Sequence, residues 1–137
     1  MPSKLGLDDD NGCFVCGKLN PIGLKLEFSQ EGDEYVTYFT PRKEHQGWIG
    51  IVHGGIVSTV LDEVMARYLH TLGLPAVTGE ITVRLKRPMP IGEPVKFAGR
   101  IESESGRVIH CSARATNGDG QVLAEATSKM VKVAELP

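Results

Sequence analysis

One stretch of the sequence, from about Gly54 to Leu72, constrains the fold more than any other. Gly73 stands where a C-terminal cap glycine belongs, and Pro75 follows two residues later. The apolar residues between these limits follow a repeated three-then-four spacing, which places them in one stripe along a helix: Ile56, Val57, Val60, Leu61, Val64, Met65, Tyr68, Leu69 and Leu72. The pattern predicts one long helix that has a single face to bury.

The rest of the chain has the sequence pattern of β-strands. Before the helix, Leu24, Leu26 and Phe28 alternate with polar residues, and a turn at 31–33 precedes a second strand at 35–39. After the helix, the pattern predicts an antiparallel meander of about four strands, with a strong hairpin signal at 117–120. A lone striped helix among so many strands buries its stripe best if the sheet curls around it. We therefore expect a single α+β domain over 1–137, with about six antiparallel strands around one central helix and a mobile segment at 1–12.

Composition excludes several classes of partner. The formal net charge is −2 and the pI is about 6.1, so no field of the whole molecule favours nucleic acid or an anionic membrane. No run of 18 apolar residues occurs, and the start of the chain lacks the apolar segment of a signal peptide. The three cysteines are too few for a disulfide scaffold. We expect a cytoplasmic protein with no nucleic-acid or membrane partner.

The segment that carries chemistry is Gly50-Ile51-Val52-His53-Gly54-Gly55, followed by Asp62 on the predicted helix. It resembles the His-Gly-Gly signature of hotdog-fold acyl-CoA thioesterases, in the branch that contains phenylacetyl-CoA and 4-hydroxybenzoyl-CoA thioesterases. In that branch an acidic residue lies nine positions after the histidine, as Asp62 does here. The resemblance extends over most of the chain from Cys13 onward and includes the Gly-x-Pro connection at 73–75. It implies a hotdog fold and hydrolysis of an acyl-CoA thioester.

The physics of this segment agrees with that implication. Glycines at a helix start let a substrate approach the backbone, and the first-turn N–H groups there have no intrahelical acceptor. A thioester carbonyl placed against the Gly55 amide would be polarised, and its oxyanion stabilised. Asp62 would attack the carbonyl carbon or activate a water molecule. Because a thiol leaves with little acid assistance, this cleavage needs no metal or cofactor, and we predict none.

Helix geometry and the resemblance together predict a shared site. Nine residues at about 100° each place His53 and Asp62 about half a turn apart, so one helix does not present both to one substrate. The resemblance implies a homodimer or homotetramer whose active sites form between subunits, with Gly55 and His53 of one copy facing Asp62 of the other. We expect His53 to position groups rather than act as a base. The resemblance also implies a role for Thr78, at the start of the third strand.

Several residues are candidates for binding the substrate. Many relatives carry an Asn six residues before the histidine; this chain has Gly47 there, so Gln46 or His45 could substitute for it. Trp48 could line an acyl pocket or pack against its own loop. A cluster of cations could bind the phosphates of coenzyme A or form an exposed strand face. The predicted substrate-binding residues are Gln46, Gly47, Trp48, Gly54, Arg84, Lys86 and Arg87.

The sequence also allows other roles for several residues and for the domain. Asp62 could be a solvated carboxylate beside a Glu63–Arg67 pair. Cys13-x-x-Cys16 supplies only two of the four ligands that zinc usually needs and lacks the context of a redox motif, so a structural loop is the default. The domain could bind or sense acyl-CoA without catalysis, or could dehydrate a hydroxyacyl thioester.

Overall fold

The structure, a computed structural model, describes residues 7–133. Its elements in chain order are β1 Phe28–Glu31, β2 Glu34–Phe39, a short 3-10 turn Lys43–His45, α1 Gly54–Thr71, β3 Ala76–Leu85, β4 Val95–Ser105, β5 Val108–Thr116 and β6 Val122–Lys132. The strands form one antiparallel sheet in the order β1-β2-β4-β5-β6-β3, and α1 packs against it. The predicted hotdog arrangement is confirmed. Of the segment predicted to be mobile, residues 1–6 lie outside the described residues, and the extent of the domain over 1–137 stays a prediction.

The stripe on α1 forms the centre of the core. Seven of its residues are buried against the inner face of the sheet: Val57, Val60, Leu61, Val64, Met65, Tyr68 and Leu69. The helix comes so close to β4 that a Cβ at Gly99 would lie 2.5 Å from the Val64 carbonyl oxygen. Leu72, which the pattern assigned to the stripe, is instead 48% exposed just beyond the end of α1. Gly73 caps that end with φ +72°, as predicted.

The first strand begins later than its sequence predicts. Leu24 and Leu26 do not pair with β2; their N–H groups donate to the carbonyls of Phe14 (2.8 Å) and Val15 (2.9 Å). Between them, Lys25 has φ +55°, which interrupts an extended strand. The alternation of apolar residues therefore reflects docking of the segment at 24–26 onto an N-terminal loop.

The predicted meander is correct for β4, β5 and β6 but wrong for β3. β3 pairs with β6 at the edge of the sheet and not with β4, the next strand along the chain. Pro88 and Pro90 lack the N–H groups that would continue the ladder. The chain instead passes beside the start of α1, where the Val52 N–H donates to the Met89 carbonyl at 2.9 Å, and then enters β4, which lies between β2 and β5.

The hairpin at 117–120 is confirmed. The Asn117 side chain accepts two backbone N–H groups there, each at 3.0 Å.

No helix among residues 7–133 is long and apolar enough to cross a membrane.

Candidate active site

Asp62 and Thr78, predicted from different elements, are in direct contact. The Thr78 hydroxyl donates to Asp62 Oδ1 at 2.7 Å, and both residues are half-buried. The same hydroxyl oxygen lies 3.4 Å from the Met130 sulfur, which contributes an apolar wall. A short hydrogen bond from a fixed hydroxyl limits the rotation of the carboxylate, so that Asp62 Oδ2 is the oxygen left for other partners.

A β-bulge at Gly79 puts Thr78 on this face. The register between β3 and β6 shifts between Thr78 and Glu80. Ala76 packs against the core before the shift and Ile81 packs against it after the shift, so the inward positions change from even to odd numbers. Thr78 therefore points towards α1, although uninterrupted alternation from Ile81 would place it on the outer face.

His53 caps the start of α1. Its Nδ1 accepts the Gly55 N–H at 2.9 Å, and its carbonyl oxygen accepts the N–H groups of Ile56 (2.9 Å) and Val57 (3.2 Å). The predicted carbonyl-binding donor, Gly55, is thus bonded to the ring of His53, and both residues are exposed. A substrate oxygen can take this donor only in place of Nδ1. Gly54 lies close to β3, where an added Cβ would be 2.9 Å from Leu85 Cδ1.

The loop before the helix gives different roles to its three predicted residues. His45 is buried, and its Nδ1 accepts the Arg42 N–H at 2.9 Å. Burial, with a smaller contribution from the Arg42 charge, lowers the pKa of His45. Gln46 accepts the Gly50 N–H at 3.2 Å. Gly47 lies beside His53, since a Cβ there would be 3.2 Å from His53 Cα. His45 and Gln46 thus stabilise their own loop, and Gly47, which has no side chain, leaves space next to His53.

A cavity of about 420 Å³ opens at the start of α1. Four predicted substrate-binding residues line it: Trp48, Gly54, Lys86 and Arg87. The remaining wall is apolar and consists of Ile51, Val52, Val57, Leu85, Pro88, Met89 and Ala124. Trp48 does not pack into its own loop, because 84% of it is exposed. Gln46, Gly47, Arg84 and Asp62 do not line this cavity.

The cations near the cavity are only partly neutralised. Lys86 Nζ lies 3.3 Å from Glu125 Oε1, and Arg84 Nη1 lies 4.0 Å from the same oxygen. Within the described chain, Arg87 has no carboxylate within 4.0 Å. Three positive charges thus share one carboxylate, and the surface beside the cavity has a net positive charge.

Gly55 and Asp62 lie on the same side of α1 but far apart along it. Seven residues correspond to almost two full turns and to a rise of about 10 Å. A reacting carbonyl carbon must lie about 3 to 3.5 Å from the attacking oxygen, and the carbonyl oxygen must lie about 3 Å from its donors. Along one helix, the backbone positions of Gly55 and Asp62 are therefore farther apart than an attacking oxygen and a donor that share one carbonyl.

The sequence did not identify Glu63 as a partner of the cysteines. The Cys13 thiol donates to Glu63 Oε2 at 3.4 Å, and the ligand atoms of Cys13, Cys16 and Glu63 all lie within 4.8 Å of one another. The i,i+4 spacing favoured a pair between Glu63 and Arg67, yet no ion pair within 4.0 Å joins them in the part of the chain that the structure describes. Only the docking of the N-terminal loop on α1 brings this cluster together.

Comparison with known proteins places this geometry in a family. The family model described as the thioesterase superfamily matches residues 49–124, which include the helix start, Asp62 and Thr78. The chain belongs to the thioesterase superfamily. Acyl-coenzyme A thioesterase THEM4 of Xenopus laevis is 29% identical over 99 residues, which are 72% of this chain and 45% of that protein. The Bos taurus protein of the same name is 27% identical over 123 residues, which are 88% of this chain and 51% of that protein. The chain thus spans about half the length of these thioesterase relatives.

Solved structures of superfamily members share the fold. A thioesterase superfamily protein with 27% identity has a TM-score of 0.84 over 89% of this chain and 61% of its own. The E. coli PaaI protein from the phenylacetic acid degradation operon has a TM-score of 0.75 with 17% identity, over 82% of each chain. The hotdog fold that the sequence predicted for this superfamily member is therefore confirmed.

Proposed function

We propose that the protein hydrolyses an acyl-CoA thioester to a free acid and CoA, with Asp62 as nucleophile or general base. The observation that carries this proposal is the 2.7 Å hydrogen bond from Thr78 on β3, which fixes Asp62 on the central helix. The chain that carries this pair is a thioesterase superfamily member. If Asp62 were only a solvated carboxylate on a polar helix face, nothing would require the β-bulge that brings the Thr78 hydroxyl to it. The names of the THEM4 relatives support the substrate class.

A further comparison supports the pairing of these two residues. A hypothetical thioesterase protein of Streptococcus pneumoniae was crystallised as two variants, one with alanine in place of an aspartate and one with alanine in place of a threonine. The two substituted positions in that protein are 16 residues apart, the same interval that separates Asp62 from Thr78. The same protein was also crystallised with coenzyme A.

In the proposed reaction the start of α1 binds the thioester carbonyl. The His53 ring is exposed, so it can rotate away and release the Gly55 N–H to the substrate oxygen. The positive end of the helix dipole adds to the stabilisation of the oxyanion. A water that gives a proton to Asp62, or the Asp62 oxygen itself, adds to the carbonyl carbon, and the carbon–sulfur bond breaks to release the thiolate of CoA. The first route forms the acid directly. In the second route, water then hydrolyses the acyl anhydride on Asp62, which releases the acid and restores the carboxylate.

The proposed site combines two copies of the chain in a homodimer, or in a homotetramer built from such dimers. The separation of about 10 Å between Gly55 and Asp62 along one helix supports this arrangement. β3 carries Thr78 and pairs with a strand on only one side among the described residues, so its other edge is open to a second copy. Light scattering tests the assembly.

Mixing two inactive variants tests whether the sites are shared. If Gly55 of one copy serves Asp62 of the other, a mixed dimer of Asp62→Asn and Gly55→Val contains one intact site. Random reassembly of equal amounts should then restore about a quarter of the wild-type activity. If the mixture stays as inactive as either variant alone while mixed dimers form, both groups act within one chain.

The cavity beside the helix start is the proposed binding site for the rest of the substrate. Its apolar wall and Trp48 suit an acyl or pantetheine chain, and Lys86 and Arg87 suit the phosphates of CoA. Arg84 lies outside the cavity wall and would add long-range attraction only.

We propose a cytoplasmic location, because all three cysteines, which lie in the described part of the chain, are free thiols.

The decisive experiment is a thiol-release assay on a panel of acyl-CoA thioesters. Asp62→Asn should lower kcat by about 1,000-fold or more, because the amide is neither a nucleophile nor a base. Asp33→Asn, an exposed aspartate in the turn between β1 and β2, is the matched control and should keep wild-type turnover. Equal turnover by the two variants would remove Asp62 from the mechanism.

A further inference from the structure

Two cysteines and a carboxylate form a cluster beside the proposed active site that thioester hydrolysis does not use. Cys13 Sγ, Cys16 Sγ and a Glu63 carboxylate oxygen lie within 4.8 Å of one another, and all three residues are half-buried. Glu63 follows Asp62 directly on α1, and the cysteines come from the loop that docks against the helix. We propose that Cys13, Cys16 and Glu63 bind one Zn²⁺ ion, with a fourth position for water.

The distances suit a tetrahedral zinc ion. Zinc binds thiolate sulfur at about 2.3 Å and carboxylate oxygen at about 2.1 Å, so the two ligand atoms of a tetrahedral site lie about 3.6 Å apart. Cys13 Sγ lies 3.4 Å from Glu63 Oε2. Two thiolates with one carboxylate favour Zn²⁺ over Mg²⁺ or Ca²⁺, which prefer oxygen ligands alone.

The loop holds both thiols in place before any metal binds. The Gly17 N–H donates to the Cys13 carbonyl at 2.9 Å and closes the turn that contains both cysteines. A Cβ at Gly17 would lie 2.4 Å from Cys13 N, so only glycine fits directly after Cys16. Val15, between the cysteines, is 3% exposed, and its carbonyl accepts the Leu26 N–H. A turn fixed in this way loses little freedom on binding a metal.

The charges around the cluster fit a bound dication. Two thiolates and a carboxylate with Zn²⁺ have a net charge of minus one, and the neighbouring Arg67 guanidinium supplies the compensating positive charge. Burial lowers the pKa of Arg67, but its interactions with Cys16, Tyr35 and Glu63 outweigh burial and raise that pKa above its ordinary value. Without a metal, burial raises the pKa of the Cys16 thiol, and Cys13 and Glu63 raise it further. Zinc binds thiolates, so its binding would release thiol protons, and its affinity should fall as the pH falls.

The test is metal binding by the full chain, reduced and freed of metal with a chelator. Wild type should take up one equivalent of Zn²⁺ in competition with a chromogenic chelator, and should show thiolate-to-metal charge-transfer absorption with Co²⁺. The Cys13→Ser/Cys16→Ser double variant should lose both signals. Glu63→Gln should bind zinc about 100-fold more weakly or worse, since loss of even an outer-shell partner costs roughly 10- to 100-fold.

Matched controls separate this site from other thiols and carboxylates. Cys111→Ser removes a buried thiol of β5, and Glu80→Gln removes an exposed carboxylate of β3; both should keep one equivalent and the Co²⁺ signal. Circular dichroism checks that each variant is folded. The proposal is wrong if wild type binds no more zinc than the double cysteine variant, or if Glu63→Gln binds it as tightly as Glu80→Gln does.

Discussion

The hydrogen bond between Thr78 and Asp62 gives a prediction whose size follows from its geometry. Thr78→Val keeps the shape of the side chain and removes only the hydroxyl that donates to Asp62 Oδ1 at 2.7 Å. A hydrogen bond to a charged group contributes about 1.5 to 3 kcal/mol, and each 1.4 kcal/mol corresponds to about a factor of ten in rate. Because both residues are only half-buried, water replaces part of the lost bond. We therefore expect kcat to fall by about 10- to 30-fold.

The effect should appear in kcat and not in KM, because Thr78 orients the attacking group and lies on no wall of the cavity at the helix start. Steady-state thiol-release kinetics measure both constants. Thr78→Ser restores a hydroxyl and should recover most of the activity. Thr82→Val is the matched control, since Thr82 lies on the same strand after the bulge, is exposed, and should be replaceable without loss.

A double variant tests whether Thr78 acts through Asp62. If it does, adding Thr78→Val to Asp62→Asn should change the residual rate by less than about twofold, because the group that Thr78 orients is already gone. The reasoning is refuted if Thr78→Val is as active as Thr82→Val. It is also refuted if adding Thr78→Val to Asp62→Asn lowers the rate by the same factor as Thr78→Val lowers the rate of wild type.

Three further predictions concern stability, pH and substrate charge. Gly99→Ala, whose Cβ would lie 2.5 Å from a backbone oxygen, should lower the free energy of unfolding by about 1 to 3 kcal/mol in urea denaturation. Gly118→Ala, with open space around its Cβ, should change that free energy little. Equal stabilities of the two variants would contradict the close packing of α1 on β4. The hydrogen bond from Arg114, against an opposing effect of burial, lowers the pKa of Glu34 below its ordinary value of 4.5, so its stabilising effect is present above that value and lost as the pH falls through the lowered pKa. As the pH falls below about 4.5, thermal unfolding should therefore show a steeper loss of stability for wild type than for Glu34→Gln, and parallel curves would be inconsistent with this pair. Arg87→Gln should raise KM for acyl-CoA several-fold and weaken its dependence on salt, an effect that Lys43→Gln should not reproduce.

The sequence predicted the helix accurately because burial alone determines its pattern. A stripe of apolar residues between Gly54 and Gly73 can be buried only as one helical face, whatever packs against it. The position of β3 needed more information. Its alternation predicts a strand, but the edge at which it pairs depends on the path from Lys86 to Pro94, which is fixed by backbone contacts with the loop before α1.

Thr78 was predicted through a resemblance, and its sequence pattern alone would have misplaced it. Ile81 and Val83 face the core, so regular alternation puts Thr78 on the opposite face. The signal that could have corrected this is Gly79, because a glycine inside a strand pattern often marks a bulge. Glu63 had no comparable signal. Its neighbours on the helix suggested a surface ion pair, and only the docked loop shows that Cys13 and Cys16 are its partners.

The β-bulge at Gly79 and the N-terminal loop that carries Cys13 contact adjacent residues of α1. Asp62 and Glu63 are adjacent and therefore point about 100° apart around α1, so no single neighbour could engage both. β3 reaches Asp62 through Thr78, and the N-terminal loop reaches Glu63 through Cys13. Loosening the loop removes a contact from the same turn of α1 that carries the proposed catalytic carboxylate. The cysteine cluster and the proposed active site are thus attached to α1 at adjacent residues, each by a different segment of the chain.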